Sequence, residues 1–217
     1  MKITKLEFQK RNQELVNLFL DGKFALSISA DKVVQMGLKP NQQISEPEFK
    51  KILDESEFGK LFTAVLRFLA FRQRSESEIR VYLARKIKSE KLQNDLTEQV
   101  ISKLKSLKMI DDLAFAQWII ESRHGFRPKG KYAIIQELRR KGIDKEMVDE
   151  LLVNSKNDGP SEISLAKRAL EKFVSIKVKT IGLSGLGKLK AKNKMQRYLL
   201  SKGFDWDVSR QAVSRLP

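Results

Sequence analysis

Ile134-Ile135-Gln136-Glu137-Leu138-Arg139-Arg140-Lys141-Gly142-Ile143 returns 61 residues later as Met195-Gln196-Arg197-Tyr198-Leu199-Leu200-Ser201-Lys202-Gly203-Phe204. Both copies place an apolar residue four positions before a leucine, a lysine three positions after it, and then glycine and an apolar residue. A partial copy stands 55 residues upstream, with Ile79, Leu83 and Lys86, but there the lysine leads into Ile87-Lys88. Recurrence at a long period marks one structural unit used three times. A unit of roughly 50–60 residues has room for three helices of about 11–12 residues plus turns. The recurring leucine is expected in each core. Gly142 and Gly203 are expected to end their helices in the left-handed conformation that glycine tolerates. Each lysine then lies in a last turn, near the negative end of the helix dipole.

Working outward, the first thirty residues read as strand. Val16, Leu18 and Leu20 alternate with Asn17 and Phe19; after Asp21-Gly22, Phe24, Leu26 and Ile28 alternate with Ala25 and Ser27. Asp-Gly between two alternating runs is a hairpin signal, because a type I′ turn needs positive φ at both central residues. Lys2 to Gln9 can add a third strand, and the sheet needs a helix to pack on. Ser45-Glu46-Pro47-Glu48 starts a helix through Ile52 and Leu53, and a second is expected from Glu57. Ser75-Glu76-Ser77-Glu78 is another capping box, opening the Leu83 helix. Leu96, Val100, Ile101, Leu104 and Leu107 have helical spacing. Asp111-Asp112 caps a helix with Phe115, Ala116, Ile119 and Trp118 on its inner stripe, Pro128-Lys129-Gly130 ends it, and Asn154 to Pro160 reads as a linker. The expected chain is mainly α: tandem three-helix repeats forming an elongated, curved array, with a small N-terminal β-hairpin segment. The expected division is 1–55 for the hairpin plus short helices, then repeats at 56–109, 110–156 and 157–217.

Of the 217 residues, 41% are hydrophobic, enough for a core, and 43 Lys+Arg against 27 Asp+Glu leave a net charge of +16. Such an excess repels itself unless a polyanion is near. No apolar run approaches the ~18–20 residues that span a bilayer, and the N-terminus lacks the apolar run of a secretory signal. Cysteine is absent, which excludes disulfides, thiolate metal sites and a cysteine nucleophile, and fits a cytoplasmic location.

Material for catalysis is scarce. His124 is the single histidine, and a metal site needs several ligands. Asp111 and Asp112 are adjacent on a helix, where neighbours do not face each other. Gly182-Leu183-Ser184-Gly185-Leu186-Gly187-Lys188-Leu189 has the spacing of a phosphate-binding loop, but leucine stands where a Ser or Thr hydroxyl must hold magnesium. Phe173 to Val178 can be read as a strand before it, yet too little chain follows for a nucleotide-binding sheet. No cofactor and no enzymatic activity are expected.

The basic residues are more informative. Lys172 to Phe204 contains nine Lys/Arg and no acid. Lys188, Lys190, Lys192, Lys194 and Arg197 lie at the third leucine helix; Lys129 and Lys131 precede the second, which ends in Arg139 and Arg140; Arg72 and Arg74 precede the first, which carries Arg80 and Arg85. Basic groups that recur with the repeat can form a stripe suited to a linear polyanion, or to the phosphate-lined groove of a protein–DNA filament. Sequence-specific reading is not indicated, since no polar recognition helix of the helix-turn-helix kind is present. Aromatics available for base stacking are Tyr132, Tyr198, Phe204 and Trp206, with the last two expected in the core.

Three stretches resemble the signatures of the RecX family of regulatory proteins: Leu69-Ala70-Phe71-Arg72-Gln73-Arg74-Ser75-Glu76-Ser77-Glu78-Ile79, Met109 to Ala116 followed by Trp118, and Pro128-Lys129-Gly130 with Glu137 to Ile143. The resemblance is strong from Phe58 to Leu152 and looser beyond. It implies tandem three-helix repeats, no catalysis, and binding along the groove of the RecA recombinase filament on DNA, with modulation, mostly inhibition, of the strand exchange, ATP hydrolysis and self-cleavage reactions of RecA. Single- and double-stranded DNA, bound without sequence preference, are expected partners as well, and the chain is expected to be a monomer. The alternative is a general basic DNA-binding or nucleoid protein acting without RecA. The Lys86-Ile87-Lys88 segment and a polar insert to Asp95 depart from the family pattern, and the N-terminal segment lies outside these signatures.

Overall fold

Asp21 and Gly22 close the hairpin with φ of 48° and 82°, the two positive values a type I′ turn requires. The strands are β1 (Ile3–Phe8), β2 (Leu15–Leu20) and β3 (Lys23–Ser29), paired antiparallel in that order. The computed structural model describes residues 1–87, 90–126, 128–158, 160–181 and 188–214, with the side chains of 90–93, 153–158, 176–181 and 188 outside the description. A register shift after Leu18 pairs Phe19 with Phe24. The strict alternation expected of Phe24 therefore fails: its ring lies exposed, edge-on to Phe19 at 5.9 Å, while Leu26 and Ile28 point inward. A bulge of this kind changes the facing of every residue beyond it.

The inner face of the sheet packs on helix, as a small sheet must. Ile3, Leu18, Leu20, Leu26 and Ile28 share a core with Leu38, Ile44 and Ile52, on a path through α1 (Ala30–Gln35) into α2 (Glu46–Ala70). The Ser45 box starts α2: Ser45 Oγ accepts from the Glu48 N–H, and the Glu48 carboxylate accepts from the Ser45 N–H at 2.7 Å. Two helices were expected here, but α2 is one helix of 25 residues. Its mid-helix Ser56 is buried yet satisfied, donating to the Ser27 carbonyl at 2.6 Å, so nothing breaks the chain between Leu53 and Glu57.

The chain divides into two units, residues 1–73 with 79–109, and residues 74–78 with 110–217. In the first, the second half of α2, α3 (Glu76–Lys86) beyond its first turn, and α4 (Glu90–Ser106) bury Val65, Ile79, Leu83, Leu96, Val100, Ile101 and Leu104. Phe68 stacks on Tyr82 at 4.3 Å. α4 starts at Glu90, inside the expected polar insert, and Leu107 beyond it is exposed.

The second unit holds two three-helix sets. In one, α5 (Asp112–Gly125), α6 (Lys131–Arg140) and α7 (Lys145–Asp158) enclose Phe115, Ile119, Ile134, Leu138, Val148 and Leu152. In the other, α8 (Glu162–Ile181), α9 (Lys188–Ser201) and α10 (Trp206–Ser214) enclose Leu165, Leu170, Leu199, Phe204 and Val213. The repeat leucines Leu83, Leu138 and Leu199 are fully buried. Trp118 and Trp206, expected inside, are partly exposed; Trp118 leans against Phe115 at the rim.

Two stretches of this unit differ from expectation. The linker expected from Asn154 continues α7 to Asp158. Phe173 to Val178, expected as a strand, belongs to α8. Leu165, Ala166, Ala169, Leu170 and Phe173 keep three- and four-residue spacing, and Phe173 stacks on Tyr198 at 4.2 Å. Tertiary packing overrides the β-branched run. The glycine-rich residues 182–187 lie outside the described residues, so the loop itself is not placed.

The Lys-Gly signature is a helix stop with a second task. At α6, the Ile143 N–H bonds the Leu138 carbonyl at 3.1 Å and the Gly142 N–H bonds that of Arg139 at 2.9 Å. At α9, Phe204 reaches Leu199 at 3.2 Å and Gly203 reaches Leu200 at 2.9 Å. Both are Schellman turns, with φ of 77° at Gly142 and 82° at Gly203. Each turn also sits against the start of the preceding leucine helix. Ser75 Oγ donates to the Lys141 carbonyl at 2.6 Å while accepting from the Glu78 N–H. The Gly130 N–H donates to the Lys202 carbonyl at 3.0 Å and the Tyr132 N–H to the Gly203 carbonyl at 3.2 Å. The orphan carbonyls of one helix end thus satisfy donors at another helix start.

Candidate functional site

Helices leave unpaired carbonyls at their ends, and cations gather there. The last carbonyls of α5 accept from α8: Arg168 donates to His124 O at 3.1 Å and Gly125 O at 2.8 Å, and Lys172 to Phe126 O at 2.7 Å. Burial, and secondarily the Arg168 charge, lower the His124 pKa, so its imidazole is neutral at pH 7. The adjacent aspartates cap helices. Asp111 accepts from the Leu113 and Ala114 N–H groups at 2.9 and 3.0 Å, and Asp112 from the Glu76 N–H at 2.8 Å.

The thirteen basic residues of the expected stripe have different fates. Arg80 on α3 is held by Glu98 of α4, with one guanidinium bond of 3.0 Å. Lys129 donates to Glu137 at 2.8 Å. At Lys131 it is the backbone N–H that donates to Glu162, at 3.1 Å. Arg72 donates to the Gln73 carbonyl at 2.8 Å. Arg140 bonds the Gln136 carbonyl at 3.1 Å. Arg74 is half-buried, and Arg85 and Arg139 are exposed. Lys188 opens α9, with its side chain outside the description.

On α9 the remaining four separate. At 3.6 residues per turn, Lys190, Lys194 and Arg197 are spaced i, i+4, i+7 on one flank of the helix. Lys192, two positions from Lys190, points away from that flank. Lys190, Lys192 and Arg197 are exposed and Lys194 is half-buried. Met195, Tyr198 and Leu199 carry the packed side.

Glu137 organises the interior of this unit. Arg123 grips its carboxylate with two bonds, Nε to Oε2 at 2.9 Å and Nη2 to Oε1, while Lys129 reaches Oε2. The Arg123 bonds, against the opposing effect of burial and with help from Lys129, hold its pKa at about 2, below the ordinary 4.5. A lowered carboxylate pKa stabilises the fold above the unfolded value, and the gain is lost as pH falls through the folded one. Wild-type stability is therefore expected to decline between about pH 4.5 and 2. In urea titrations Glu137→Gln should cost ~1.5–3 kcal/mol at pH 7 and flatten that decline. An equally steep acid slope in the variant would overturn the assignment.

Among the described residues no helix is long and apolar enough to cross a membrane. Sequence reasoning missed Arg168 and Lys172, because nothing in the order of residues announces that α8 lies across the end of α5. It also missed two exposed phenylalanines, Phe71 and Phe126, although both stand at the same offset before a repeat leucine.

Comparison with known proteins extends the picture over the whole chain. Residues 1–45 match the model of the regulatory protein RecX N-terminal domain, 111–152 that of the RecX second three-helix domain, and 179–213 that of the RecX third three-helix domain. The sheet thus falls inside the family pattern. The regulatory protein RecX of Clostridium beijerinckii is 32% identical over 99% of this chain and 95% of its own. That of Bacillus subtilis is 32% identical over 99% of this chain and 76% of its own. A crystal structure of regulatory protein RecX superposes with a TM-score of 0.70 at 26% identity, covering 99% of both chains. That of RecX from Lactobacillus salivarius, at 23% identity and a TM-score of 0.57 over 73% of this chain and 96% of its own, shares the fold.

Proposed function

The chain belongs to the RecX family of regulatory proteins, and from that membership we propose that it is a non-enzymatic regulator that binds the RecA–DNA filament and inhibits its recombinase, ATPase and coprotease activities. It acts by occupancy, as a cytoplasmic monomer. Its repeats, at about 56–109, 110–156 and 157–217, engage protomers and phosphates and hinder filament growth and the access of other DNA. The observation that carries this reading is the acid-free run through α9, whose Lys190, Lys194 and Arg197 share one flank. Cations without acids beside them suit a polyanion, and the chain's excess of +16 points the same way.

The test adds purified protein to RecA-catalysed strand exchange and DNA-dependent ATP hydrolysis. Both should fall at stoichiometric amounts. Unchanged strand exchange would sink the reading. Equal affinity for bare duplex and for the RecA filament, with a steep salt dependence, would replace it with a nucleoid protein acting on DNA alone.

A further inference from the structure

Phe71 and Phe126 are the two most exposed aromatic side chains among the described residues, at 85% and 80%. They are equivalent by position. Each stands twelve residues before a buried repeat leucine, Leu83 or Leu138, and each is followed in sequence by arginine. Each is the C-cap of the helix that precedes its leucine helix, with φ, ψ of −78°, −35° for Phe71 and −93°, −35° for Phe126. Neither ring belongs to a core cluster. A single exposed apolar residue needs no explanation. The same bare ring at the same register of two repeats, in the same backbone conformation, does.

The surroundings of Phe126 say what covers it, and Phe71 stands at the same place in its repeat. Lys172 donates to the carbonyl of Phe126 itself at 2.7 Å, and Arg168 to the two carbonyls before it. Both cations are exposed, and these acceptors carry no formal charge, so the positive charges are not neutralised there. Lysine is depleted from protein–protein contacts relative to the rest of the surface, and Lys172 borders the Phe126 ring through its carbonyl. A ring bordered by cations matches a partner offering flat π faces joined by phosphates.

We infer that Phe71 and Phe126 are base-stacking residues: each takes an unpaired base of a single-stranded nucleic acid on its ring, with Arg168 and Lys172 beside Phe126 facing the flanking phosphates. This deepens the reading above by naming how the chain meets DNA, and it rests on that reading. Its test leaves RecA out, so the two fail separately.

The probe is an oligothymidylate of about 20 nucleotides, compared with an abasic phosphodiester chain of equal length. In the full-length protein, Phe71→Ala with Phe126→Ala should weaken oligothymidylate binding by about tenfold or more and leave binding of the abasic chain unchanged. Both rings are exposed, so circular dichroism should match the parent. Phe126→Trp should retain affinity, and its added fluorescence should be quenched by oligothymidylate and not by the abasic chain. Equal loss on both probes, or no loss on either, overturns the inference.

Discussion

Gly203→Ala is expected to destabilise the third helical set by ~3 kcal/mol or more and to loosen the turn against α6. The left-handed backbone alone costs an alanine roughly 1–2 kcal/mol. The added Cβ would also lie 2.4 Å from the Ala133 backbone nitrogen and 2.4 Å from its Cβ, so the turn must retreat. Retreat strains the bonds from Gly130 and Tyr132 to the Lys202 and Gly203 carbonyls, each worth about 1 kcal/mol. Gly142→Ala meets a different obstacle. Its Cβ would fall 2.3 Å from the Ser77 Cβ, while the nearest Ser77 backbone atom is 3.8 Å away. Removing the side chain clears that path, so Ser77→Gly should restore part of the stability lost in Gly142→Ala, leaving the φ strain. Ala133→Gly should restore less in Gly203→Ala, because the backbone nitrogen remains. Urea unfolding of the four single and two double variants measures both coupling energies. Equal rescue at the two turns would mean that strain at φ dominates and that the close approach matters little.

These turns separate what local sequence determines from what only the folded chain brings together. The lysine-glycine-apolar signature announced a helix stop, since only local geometry was needed. That the stop docks on Ser75 or Gly130 was hidden, because the partners lie 66 and 72 residues away in sequence. The hairpin was legible from Asp21-Gly22, but the outward turn of Phe24 was not, since a bulge after Leu18 leaves no mark in an alternating pattern. At Phe173 to Val178 the alternate β-branched residues have the pattern of a strand, and the helical spacing set by Leu165, Ala169 and Phe173 prevails.

The basic residues were recognised one by one, as composition allows. Which of them are occupied within the fold depended on Glu98 and Glu137, whose contacts to Arg80 and Lys129 only folding creates. Phe71 and Phe126 carry a readable signal, the shared twelve-residue offset, but only the fold shows that the rings are bare.

Charge reversal on α9 provides the second large effect. The helix separates Lys192 from Lys190 and Lys194, so the informative set is Lys190→Glu, Lys194→Glu and Arg197→Glu. Each removed phosphate contact lowers the slope of log affinity against log salt by about 0.7 on a single strand and about 0.9 on a duplex. The triple variant should therefore lose about two units of slope on single-stranded DNA, and at low salt its binding to RecA-coated DNA should fall by at least ~100-fold. Lys192→Glu alone should change either quantity by much less. Helical content should persist in both, because the α9 packing rests on Met195, Tyr198 and Leu199. If Lys192→Glu costs as much as the triple variant, the effect follows net charge and not the flank, and α9 is not the surface that meets the filament. If the triple variant binds as the parent does, the contact lies on other cations, with Arg139 and Arg140 at the exposed end of α6 next to be reversed.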